Sequence, residues 1–371
     1  MTHTRRYCFL FLEIFECEGG IQSYICDVLT AYEAIADAPP ADVLLLRDGA
    51  NCPNPLSQSS KFQFHYFKSR WPRLGRLRLA MALIAMLLRQ RPDRVLCGHG
   101  RLAPLVGRIC RRLGIPYTVL TYGKEVWYPL ESPFREALQR AAEVWTISRY
   151  SRDLLCQANQ IDPEKVRLLP CVVDGDRFTP GQKSEALIEI YDLRHARVLM
   201  TVARLWSGDI YKGVDVTIRA LSAIAKVCPD VKYLVVGRGD DQPRLARLAA
   251  ELGVADRVVF AGFVPTEALV EHYRLADAYI MPSQEGFGIV YLEAMACGVP
   301  VLSGDRDGSA DPLQDGRLGW QVPHRDPEAV AAACIEILKG GDRRCDRDWL
   351  RQESLAQFSR PALKAQLAKL L

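Results

Sequence analysis

Residues 282–301 read PSQEGFGIVYLEAMACGVPV, and this stretch carries the strongest structural signal in the chain. It follows the apolar run Ala278–Met281, passes through a turn at Gly286-Phe287-Gly288 and continues into a helical pattern. Glycines at such a junction let backbone N–H groups approach a ligand, and the N-terminus of a helix favours an anion such as a diphosphate. Glu285 precedes the predicted helix and Glu293 lies within it, where carboxylates can accept hydrogen bonds from sugar hydroxyls.

On both sides of this stretch, short apolar runs alternate with helical patterns. The predicted strands are Cys8–Ile14, Val43–Leu46, Arg94–Cys97, Tyr117–Thr121, Glu143–Ile147, Arg197–Val202, Lys232–Val236, Val258–Ala261, Ala278–Met281 and Val299–Leu302. The clearest helical patterns are Gln22–Ile35, Arg76–Arg89, Val216–Val227 and Gln242–Leu252. Two series of alternating strands and helices predict an α/β fold with two parallel, doubly wound Rossmann-like sheets. The glycine- and proline-containing segment 172–180 marks the join, which gives predicted domains of residues 1–178 and 179–371.

Composition and charge agree with a soluble α/β protein of two domains. The chain has 371 residues, of which 49% are hydrophobic and 25% charged, and its formal net charge is +4. Its twelve cysteines show no C-x-x-C pair and no zinc-ligand spacing, so reduced thiols in the cytoplasm are expected. The apolar run near the N-terminus meets Glu13 and Glu16 at once, which favours a first strand over a signal peptide.

A second segment with candidate functional residues is 201–215, TVARLWSGDIYKGVD, at the end of a predicted strand. Arg204 offers a planar guanidinium that suits phosphate oxygens, and Lys212 adds a mobile point charge. A departing nucleoside diphosphate needs such cations, because negative charge develops on it as the bond breaks. The alternative is that each residue is an ordinary exposed base.

The stretch from Glu285 to Pro300 resembles the glutamate–seven residues–glutamate motif of retaining glycosyltransferases of family four, which have the two-domain GT-B fold. The resemblance extends over nearly the whole chain and is strongest over residues 199–301. It implies two facing Rossmann-like domains with an interdomain cleft, a final helix that can return to the first domain, and transfer of a hexose from a nucleotide-diphosphate sugar with retention of configuration. The substrate would be the nucleotide sugar itself, with no resident cofactor.

The resemblance also implies roles for individual residues. Glu285 would contact the transferred sugar and Glu293 the ribose, while Arg204 and Lys212 match the family's arginine and lysine. Further donor contacts are implied for the backbone at Phe287, Gly288 and Ile289, for the glycine loop with Gly19 and Gly20, and for Gly237 and Val264, which follow strands of the second domain.

On the acceptor side the chain departs from the family pattern. Members commonly carry a histidine in a Thr-His-Gly segment, whereas this chain has Thr121-Tyr122-Gly123. A tyrosine can donate a hydrogen bond but is not a base at neutral pH without a large pKa shift. Tyr122 is therefore expected to orient a sugar, and Lys124, Glu125 and His99 are candidate acceptor contacts, each with the alternative of an ordinary loop or structural role.

Two D-x-D strings, Asp174-Gly-Asp176 and Asp305-Arg-Asp307, invite a metal interpretation, because acidic pairs bind Mg²⁺ or Mn²⁺ in many sugar transferases. One string falls in the predicted linker and the other in a loop. Linker and loop chemistry accounts for them better, so no metal is predicted.

Residues 68–112 contain twelve basic side chains and one acidic residue, Asp93. Within this segment, residues 71–91 form an amphipathic pattern in which arginines flank leucines. Three interpretations remain: a solvated basic face, attraction to an anionic membrane surface, and nucleic-acid binding. No nucleic-acid module accompanies the charge, so the membrane is favoured and nucleic acid is not expected as a partner.

Together these features predict a cytoplasmic enzyme, peripheral at the inner face of the membrane, that glycosylates a glycan or lipid-linked acceptor in polysaccharide or glycolipid assembly. Two alternatives share the fold: a sugar-nucleotide epimerase, and a relative that binds nucleotide sugar without catalysis.

Overall fold

The computed structural model describes residues 5–371, which form two compact units. Unit 1 runs to Cys171 and also includes Arg360–Leu371, and unit 2 is Val172–Ser359. The division lies before the expected boundary at residues 178/179, because the connecting segment is bonded to unit 2. Arg351 donates hydrogen bonds to the carbonyl oxygens of Gly175 and Phe178, each at 2.6 Å.

Unit 1 contains a parallel sheet with helices between its strands. Its strands are β1 (Tyr7–Phe11), β2 (Ala41–Leu45), β3 (Phe62–Tyr66), β4 (Arg94–Cys97), β5 (Tyr117–Thr121), β6 (Glu143–Thr146) and β7 (Val166–Leu168). Its first helices are α1 (Gly20–Ala34), α2 (Pro72–Gln90), α3 (Ala103–Leu113), α4 (Ser132–Gln139) and α5 (Arg149–Asn159). The strand order within the described residues is β3-β2-β1-β4-β5-β6-β7, so the order reverses between β1 and β4.

Unit 2 repeats this plan. Its strands are β8 (Arg197–Val202), β9 (Val231–Val236), β10 (Val258–Gly262), β11 (Ala278–Met281), β12 (Val301–Gly304) and β13 (Trp320–Val322). Its helices are α6 (Glu185–Ile190), α7 (Val214–Val227), α8 (Gln242–Glu251), α9 (Leu269–Leu275), α10 (Ile289–Ala296), α11 (Pro327–Lys339) and α12 (Arg347–Phe358). The order β10-β9-β8-β11-β12-β13 reverses between β8 and β11, and the strand pairs are parallel. The expected class, two doubly wound parallel sheets, is confirmed.

The last helix, α13 (Arg360–Leu370), belongs to unit 1. Its side chains Leu363 and Leu367 are buried. The hydroxyl of Tyr7 donates to the carbonyl of Leu371 at 2.8 Å, and the Gln366 amide donates to the carbonyl of Leu168 at 2.8 Å. The C-terminal helix thus contacts both the first and the last strand of the unit 1 sheet.

The cores explain why the strands form where they do. All five residues of β1 are buried, as are the four of β11, which is the pattern expected for central strands covered on both faces. Ligands of such sheets bind beyond the carboxyl ends of the strands where the order reverses, so the loops after β1, β4, β8 and β11 are the expected ligand-binding loops.

Candidate active site

In unit 2 the loops after β8 and β11 are joined at the point where the strand order reverses. The backbone N–H of Gln284 donates to the carbonyl of Tyr211 at 3.2 Å. Gly213 has φ +76°, and a Cβ there would lie 2.5 Å from the carbonyl oxygen of Pro282, so only glycine fits. This contact places the turn after Lys212 directly beside the stretch that contains Glu285.

Lys212 and Glu285, predicted from separate segments, form an ion pair and hydrogen bond. The two side chains are 20% and 16% exposed, so the pair is largely removed from water yet accessible from one side. A cation and a carboxylate thus meet at the end of the central strands, where a leaving diphosphate and a sugar could each find a partner.

Arg204 is held by Asp209, a residue that the sequence analysis missed. Nε and one terminal nitrogen of Arg204 lie 2.7 Å and 2.6 Å from the same carboxylate oxygen. The arginine side chain is 68% exposed and the aspartate 5%, so a buried carboxylate fixes the orientation of an exposed guanidinium. The remaining N–H groups of Arg204 are available for phosphate oxygens. Asp209 lies three residues before Lys212, in a loop where a single aspartate has no distinctive pattern in the sequence.

Glu293 lies in the second turn of α10 and accepts a hydrogen bond from the Tyr273 hydroxyl at 2.7 Å. Burial and the neighbouring carboxylate raise the pKa of Tyr273 well above its ordinary value, so this hydroxyl stays protonated and donates. Tyr273 therefore fixes the orientation of the glutamate expected to contact ribose, and it too was not identified from the sequence.

The N-terminus of α10 has the geometry expected of an anion site. Gly288 precedes the helix with φ +92°, and Ile289 is its first residue. Phe287 is buried and packs edge-on against Phe358 at 5.7 Å between ring centroids. The first N–H groups of a helix have no partner within it, so this rigid turn presents donors beside Glu285.

A backbone hydrogen bond also connects the loops after β9 and β10. The N–H of Gly237 donates to the carbonyl of Gly262 at 2.8 Å. Gly237 has φ +138°, and a Cβ there would come within 1.8 Å of the carbonyl oxygen of Ala203. Val264 is half-buried in the loop after β10, and the guanidinium of Arg238 stacks on the exposed ring of Phe263 at 4.6 Å. This cation–π pair was not singled out from the sequence.

Unit 1 has its own cavity, of about 500 Å³, at the carboxyl ends of β4 and β5. Its lining residues are Ile21, His99, Gly100, Arg101, Tyr122, Glu125, Pro129, Leu130, Glu131 and Phe134. The fold thus brings together three of the predicted acceptor-side residues, and it adds Arg101 and Glu131, which were not predicted. Lys124 lies on the same turn as Glu125 and is exposed, outside this lining.

Two cavity residues are committed to structural hydrogen bonds. The Tyr122 hydroxyl donates to the carbonyl of Gly98 at 2.5 Å, and the Tyr122 N–H donates to Glu125. Burial raises the pKa of Tyr122 well above its ordinary value, so the hydroxyl is protonated. Because its hydrogen is directed at Gly98, Tyr122 can offer a sugar only an oxygen lone pair, and its expected role in orienting a sugar stays a prediction.

His99 is a neutral side chain in this cavity. Its Nδ1 accepts the Arg101 N–H at 3.1 Å, which leaves the proton of the neutral ring on Nε2. Burial and then the charge of Arg101 lower the His99 pKa to about 4. His99 can therefore donate one hydrogen bond to an acceptor hydroxyl, but it is not charged at neutral pH.

The glycine loop of unit 1 is anchored by Asp48, another residue that the sequence did not reveal. This carboxylate is fully buried and accepts the N–H groups of Ile14, Phe15 and Glu16 at 2.7, 3.2 and 3.0 Å. The chain then reaches Gly19, which precedes α1, and Gly20, its first residue. Asp48 thus fixes the approach of the loop expected to face the donor phosphates.

In both D-x-D strings an aspartate side chain accepts hydrogen bonds from nearby backbone N–H groups. Asp174 accepts the N–H groups of Asp176 and Arg177 at 3.1 and 3.3 Å, and Asp307 accepts that of Ser309 at 2.8 Å. The second string lies in the loop that follows β12, which ends at Gly304. Among residues 5–371 no cluster of three or more His, Cys, Asp or Glu side chains is arranged to bind a metal ion. Metal-independent transfer stays a prediction.

Comparison with known proteins follows the same division of the chain. The glycosyl transferase 4-like domain matches residues 19–171, and the glycosyl transferases group 1 family matches residues 196–340. A GDP-mannose-dependent alpha-(1-6)-phosphatidylinositol monomannoside mannosyltransferase of Mycolicibacterium smegmatis is 38% identical over 64% of this chain and 66% of its own length. The protein of the same name from Mycobacterium tuberculosis is 33% identical over 68% of both chains.

Solved structures agree with the fold. HepE of Anabaena in complex with UDP superimposes with a TM-score of 0.78 at 19% identity, covering 98% of this chain and 99% of its own. The lipopolysaccharide outer core galactosyltransferase WaaB gives a TM-score of 0.74 at 16% identity over 98% of both chains. The chain belongs to the group 1 glycosyltransferases of family four, enzymes with the GT-B fold that use a nucleotide sugar as donor.

Proposed function

We propose that this chain transfers a hexose, with retention of anomeric configuration and without a metal ion, from a nucleotide-diphosphate sugar to a hydroxyl of a lipid-linked acceptor. The observation that carries the proposal is the Lys212–Glu285 pair beside Arg204, at the reversal point of the unit 2 sheet. Two cations there can bind the diphosphate, and a carboxylate can bind the sugar whose bond breaks.

The chemistry follows from these charges. As the acceptor oxygen bonds to C1 of the sugar, the C1–O bond to the diphosphate breaks and its electron pair leaves with the phosphate. The hydroxyl proton passes to the departing diphosphate oxygen. Lys212, Arg204 and the N–H groups at the start of α10 stabilise the charge on the leaving group, which is the function a divalent ion has in other transferases.

GDP-mannose is the donor that the relatives support. The two mycobacterial relatives at 38% and 33% identity are named as GDP-mannose-dependent. Their acceptor, a phosphatidylinositol mannoside, has a polyol headgroup. The unit 1 cavity of about 500 Å³, with donors on His99 and Arg101 and acceptors on Glu125 and Glu131, suits such a headgroup.

A membrane-bound acceptor also suits the outer face of α2. One side of this helix, with Leu79, Leu83 and Leu87, is buried in unit 1. The opposite side exposes a second apolar stripe with residues three or four positions apart: Leu74, Leu77, Met81, Ile84 and Leu88. The four arginines of the helix are exposed and lie on the two sides of that stripe: Arg73, Arg76, Arg78 and Arg89.

This arrangement is typical of a helix that lies in the membrane interface, with apolar side chains entering the acyl boundary and arginines meeting anionic headgroups. Two of the basic residues counted in the sequence are already paired, Lys68 with Glu16 and Arg94 with Glu143. Over residues 5–371, no helix combines the length and apolar character needed to cross a bilayer. We therefore propose peripheral attachment through the exposed stripe of α2.

The activity is tested by incubating the purified chain with GDP-mannose, UDP-glucose and ADP-glucose, with phosphatidylinositol monomannoside in vesicles as acceptor. An α-linked product from GDP-mannose, formed equally in EDTA, supports the proposal. Conversion of the donor into its epimer would support the alternative enzyme, and donor binding without turnover would support a non-catalytic relative. A β-linked product would refute retention.

Attachment is tested by co-sedimentation with vesicles of phosphatidylcholine alone or mixed with phosphatidylglycerol. Each basic residue near an anionic surface contributes about 1 kcal/mol, so replacing Arg73 and Arg78 by Gln should weaken binding about 30-fold. Leu77→Ser with Met81→Ser should also weaken it, whereas Val227→Ser, at an exposed site of unit 2, should not. Equal binding to neutral and anionic vesicles would refute the electrostatic part.

A further inference from the structure

The loop after β12 contains a buried carboxylate that the chemistry described so far does not use. Asp307 is 2% exposed. Its Oδ2 accepts the backbone N–H of Glu285 at 2.6 Å and lies 3.4 Å from the Ser283 hydroxyl. Its Oδ1 accepts the N–H of Ser309 at 2.8 Å and the hydroxyl of the same serine. Each oxygen of the carboxylate therefore accepts a backbone N–H, one from Glu285 and one from Ser309.

The next residue completes the contact. The N–H of Gly308 donates to the carbonyl of Glu285 at 2.8 Å, so two consecutive residues hold both backbone groups of that glutamate. A Cβ on Gly308 would lie 1.9 Å from the carbonyl oxygen of Gly286, so the two loops are in direct backbone contact. Glu285 is thus fixed from the β12 loop at its backbone and from Lys212 at its side chain.

A turn of this kind does not need a buried acid. A serine or asparagine also accepts a backbone N–H at such a position, without the cost of burying a charge. What the carboxylate adds is two oxygens that accept donors from two different segments, the Glu285 loop and the Ser309 turn. Replacing it with a neutral side chain would leave one of these amides without an acceptor.

We propose that Asp307 is a positioning residue for Glu285, setting the height of the motif glutamate above the end of β11. The proposal rests on the proposed function of Glu285 as the carboxylate that contacts the transferred sugar. Catalytic groups have to be held within about 0.5 Å of the productive geometry, and a misplacement of about 1 Å can cost about 100-fold in rate.

The same geometry gives a pH signature. Burial raises the pKa of Asp307 to about 6, the bonds from Ser309 and Glu285 oppose the shift, and the charge of Glu285 adds to it. The titratable side chains that face it are Glu285, itself paired with Lys212, and Tyr291, whose pKa burial raises well above the ordinary value. Below about pH 6 a proton on Asp307 would displace one of its donors, so turnover should fall as the pH drops.

The experiment compares the full-length wild type with Asp307→Asn, Asp307→Ala and a matched control, Asp346→Asn. Asp346 also accepts two backbone N–H groups, at 3.1 Å each, but it caps α12 and has no part in the site. Kinetics from pH 5 to 8 are combined with amide hydrogen exchange of peptides that cover residues 283–289. Asp307→Asn should lower kcat about 10- to 100-fold with little change in donor KM, and it should abolish the acid limb near pH 6. Exchange at 283–289 should accelerate in both Asp307 variants and not in the control.

The outcomes separate this proposal from the activity on which it rests. Wild-type kcat and unchanged exchange in Asp307→Asn would overturn it, and so would faster exchange with full activity and an unchanged acid limb. If the wild type transfers no sugar from any donor, the proposed function fails, and exchange at 283–289 still decides whether Asp307 holds the loop. If Asp307→Ala does not fold, the Asp307→Asn variant decides alone, with its melting curve as the check on folding.

Discussion

Replacing Glu285 by glutamine should have two opposite effects, weaker catalysis and tighter binding of free nucleotide. In the structure the Glu285 carboxylate is bonded to Lys212, the cation that we expect to bind the diphosphate. A nucleoside diphosphate must therefore compete with Glu285 for this lysine. Glutamine keeps the size of the side chain and one acceptor oxygen but removes the charge, so Lys212 becomes available.

The solvent exposure of the Lys212–Glu285 pair sets the expected size of the change in GDP affinity. A fully exposed pair contributes about 0 to 1 kcal/mol, and a hydrogen bond to a charged group about 1.5 to 3 kcal/mol. With side chains 20% and 16% exposed, the Lys212–Glu285 pair belongs near the lower end of the second range, at about 1.5 kcal/mol. Since 1.4 kcal/mol corresponds to about tenfold, the Kd of GDP should fall by up to about tenfold. At the same time kcat should fall about 100-fold or more, because the interaction with the reacting sugar is lost.

Isothermal titration with GDP and steady-state kinetics with GDP-mannose measure the two effects. The matched control is Glu189→Gln, which breaks the Arg194–Glu189 pair of unit 2, where the side chains are 55% and 69% exposed. Neither GDP affinity nor kcat should change in the control. Weaker GDP binding by Glu285→Gln would show that the carboxylate does not compete for Lys212, and a kcat within threefold of the wild type would refute its role in the reaction.

Four further outcomes are expected. Lys212→Ala should lower kcat about 100-fold, because leaving-group charge loses its partner, whereas Lys226→Ala on the exposed side of α7 should not; equal kinetics in the two variants would refute the assignment. Glu293→Gln should chiefly raise donor KM, since ribose contacts change little during the reaction, and a defect confined to kcat would argue against the ribose role. Tyr122→Phe should cost about 0.5–1.5 kcal/mol of stability in urea unfolding, the net value of its bond to a carbonyl, and leave transfer largely intact. Activity should survive EDTA; loss restored by Mg²⁺ or Mn²⁺ would show that a metal is required.

The sequence predicted the central strands well because they are continuous apolar runs. Arg94–Cys97, Tyr117–Thr121, Arg197–Val202 and Ala278–Met281 have in the structure the bounds that were predicted. The three strands that were missed, β3, β7 and β13, each lie at an edge of a sheet. Edge strands are covered less completely, and Val166–Leu168 and Trp320–Val322 are only three residues long, too short for a periodic signal.

Two strand ends were predicted at the wrong residue. In one, a side chain accepts the backbone N–H that would have continued the strand, and in the other a proline has no N–H to donate. The first strand was expected to reach Ile14 but ends at Phe11, because the N–H of Ile14 bonds to the buried Asp48. The strand expected at Val299 begins at Val301, after Gly298 with φ +73° and Pro300, which has no N–H. The contact between Ile14 and Asp48 is long-range and leaves no local pattern in the sequence, whereas Gly298 and Pro300 are local signals that the assignment of the strand did not use.

The site shows the same limit. Motif residues such as Glu285 and Lys212 could be predicted as site residues because they stand beside glycines in the loops that follow strands. The residues that hold them, Asp209, Tyr273 and Asp307, carry their information in contacts with distant segments, and a single aspartate in a loop has no distinctive spacing. Likewise the cavity of unit 1 gathers residues from α1, β4, β5 and the start of α4, which periodicity cannot bring together.

The two cations of the proposed donor site, Arg204 and Lys212, differ in how firmly their carboxylates hold them. Asp209 is 5% exposed and accepts hydrogen bonds from Nε and one terminal nitrogen of Arg204. The Arg204 side chain is 68% exposed, so its other N–H groups can bind phosphate while the bond to Asp209 is kept. Lys212 has a single ammonium group that Glu285 already engages, and a diphosphate must share or take it. Donor binding should therefore disturb only the Lys212–Glu285 pair. Because Glu285 keeps its backbone bonds to Asp307 and Gly308, its backbone stays in place when Lys212 is taken, and the released carboxylate can accept a hydroxyl of the transferred sugar.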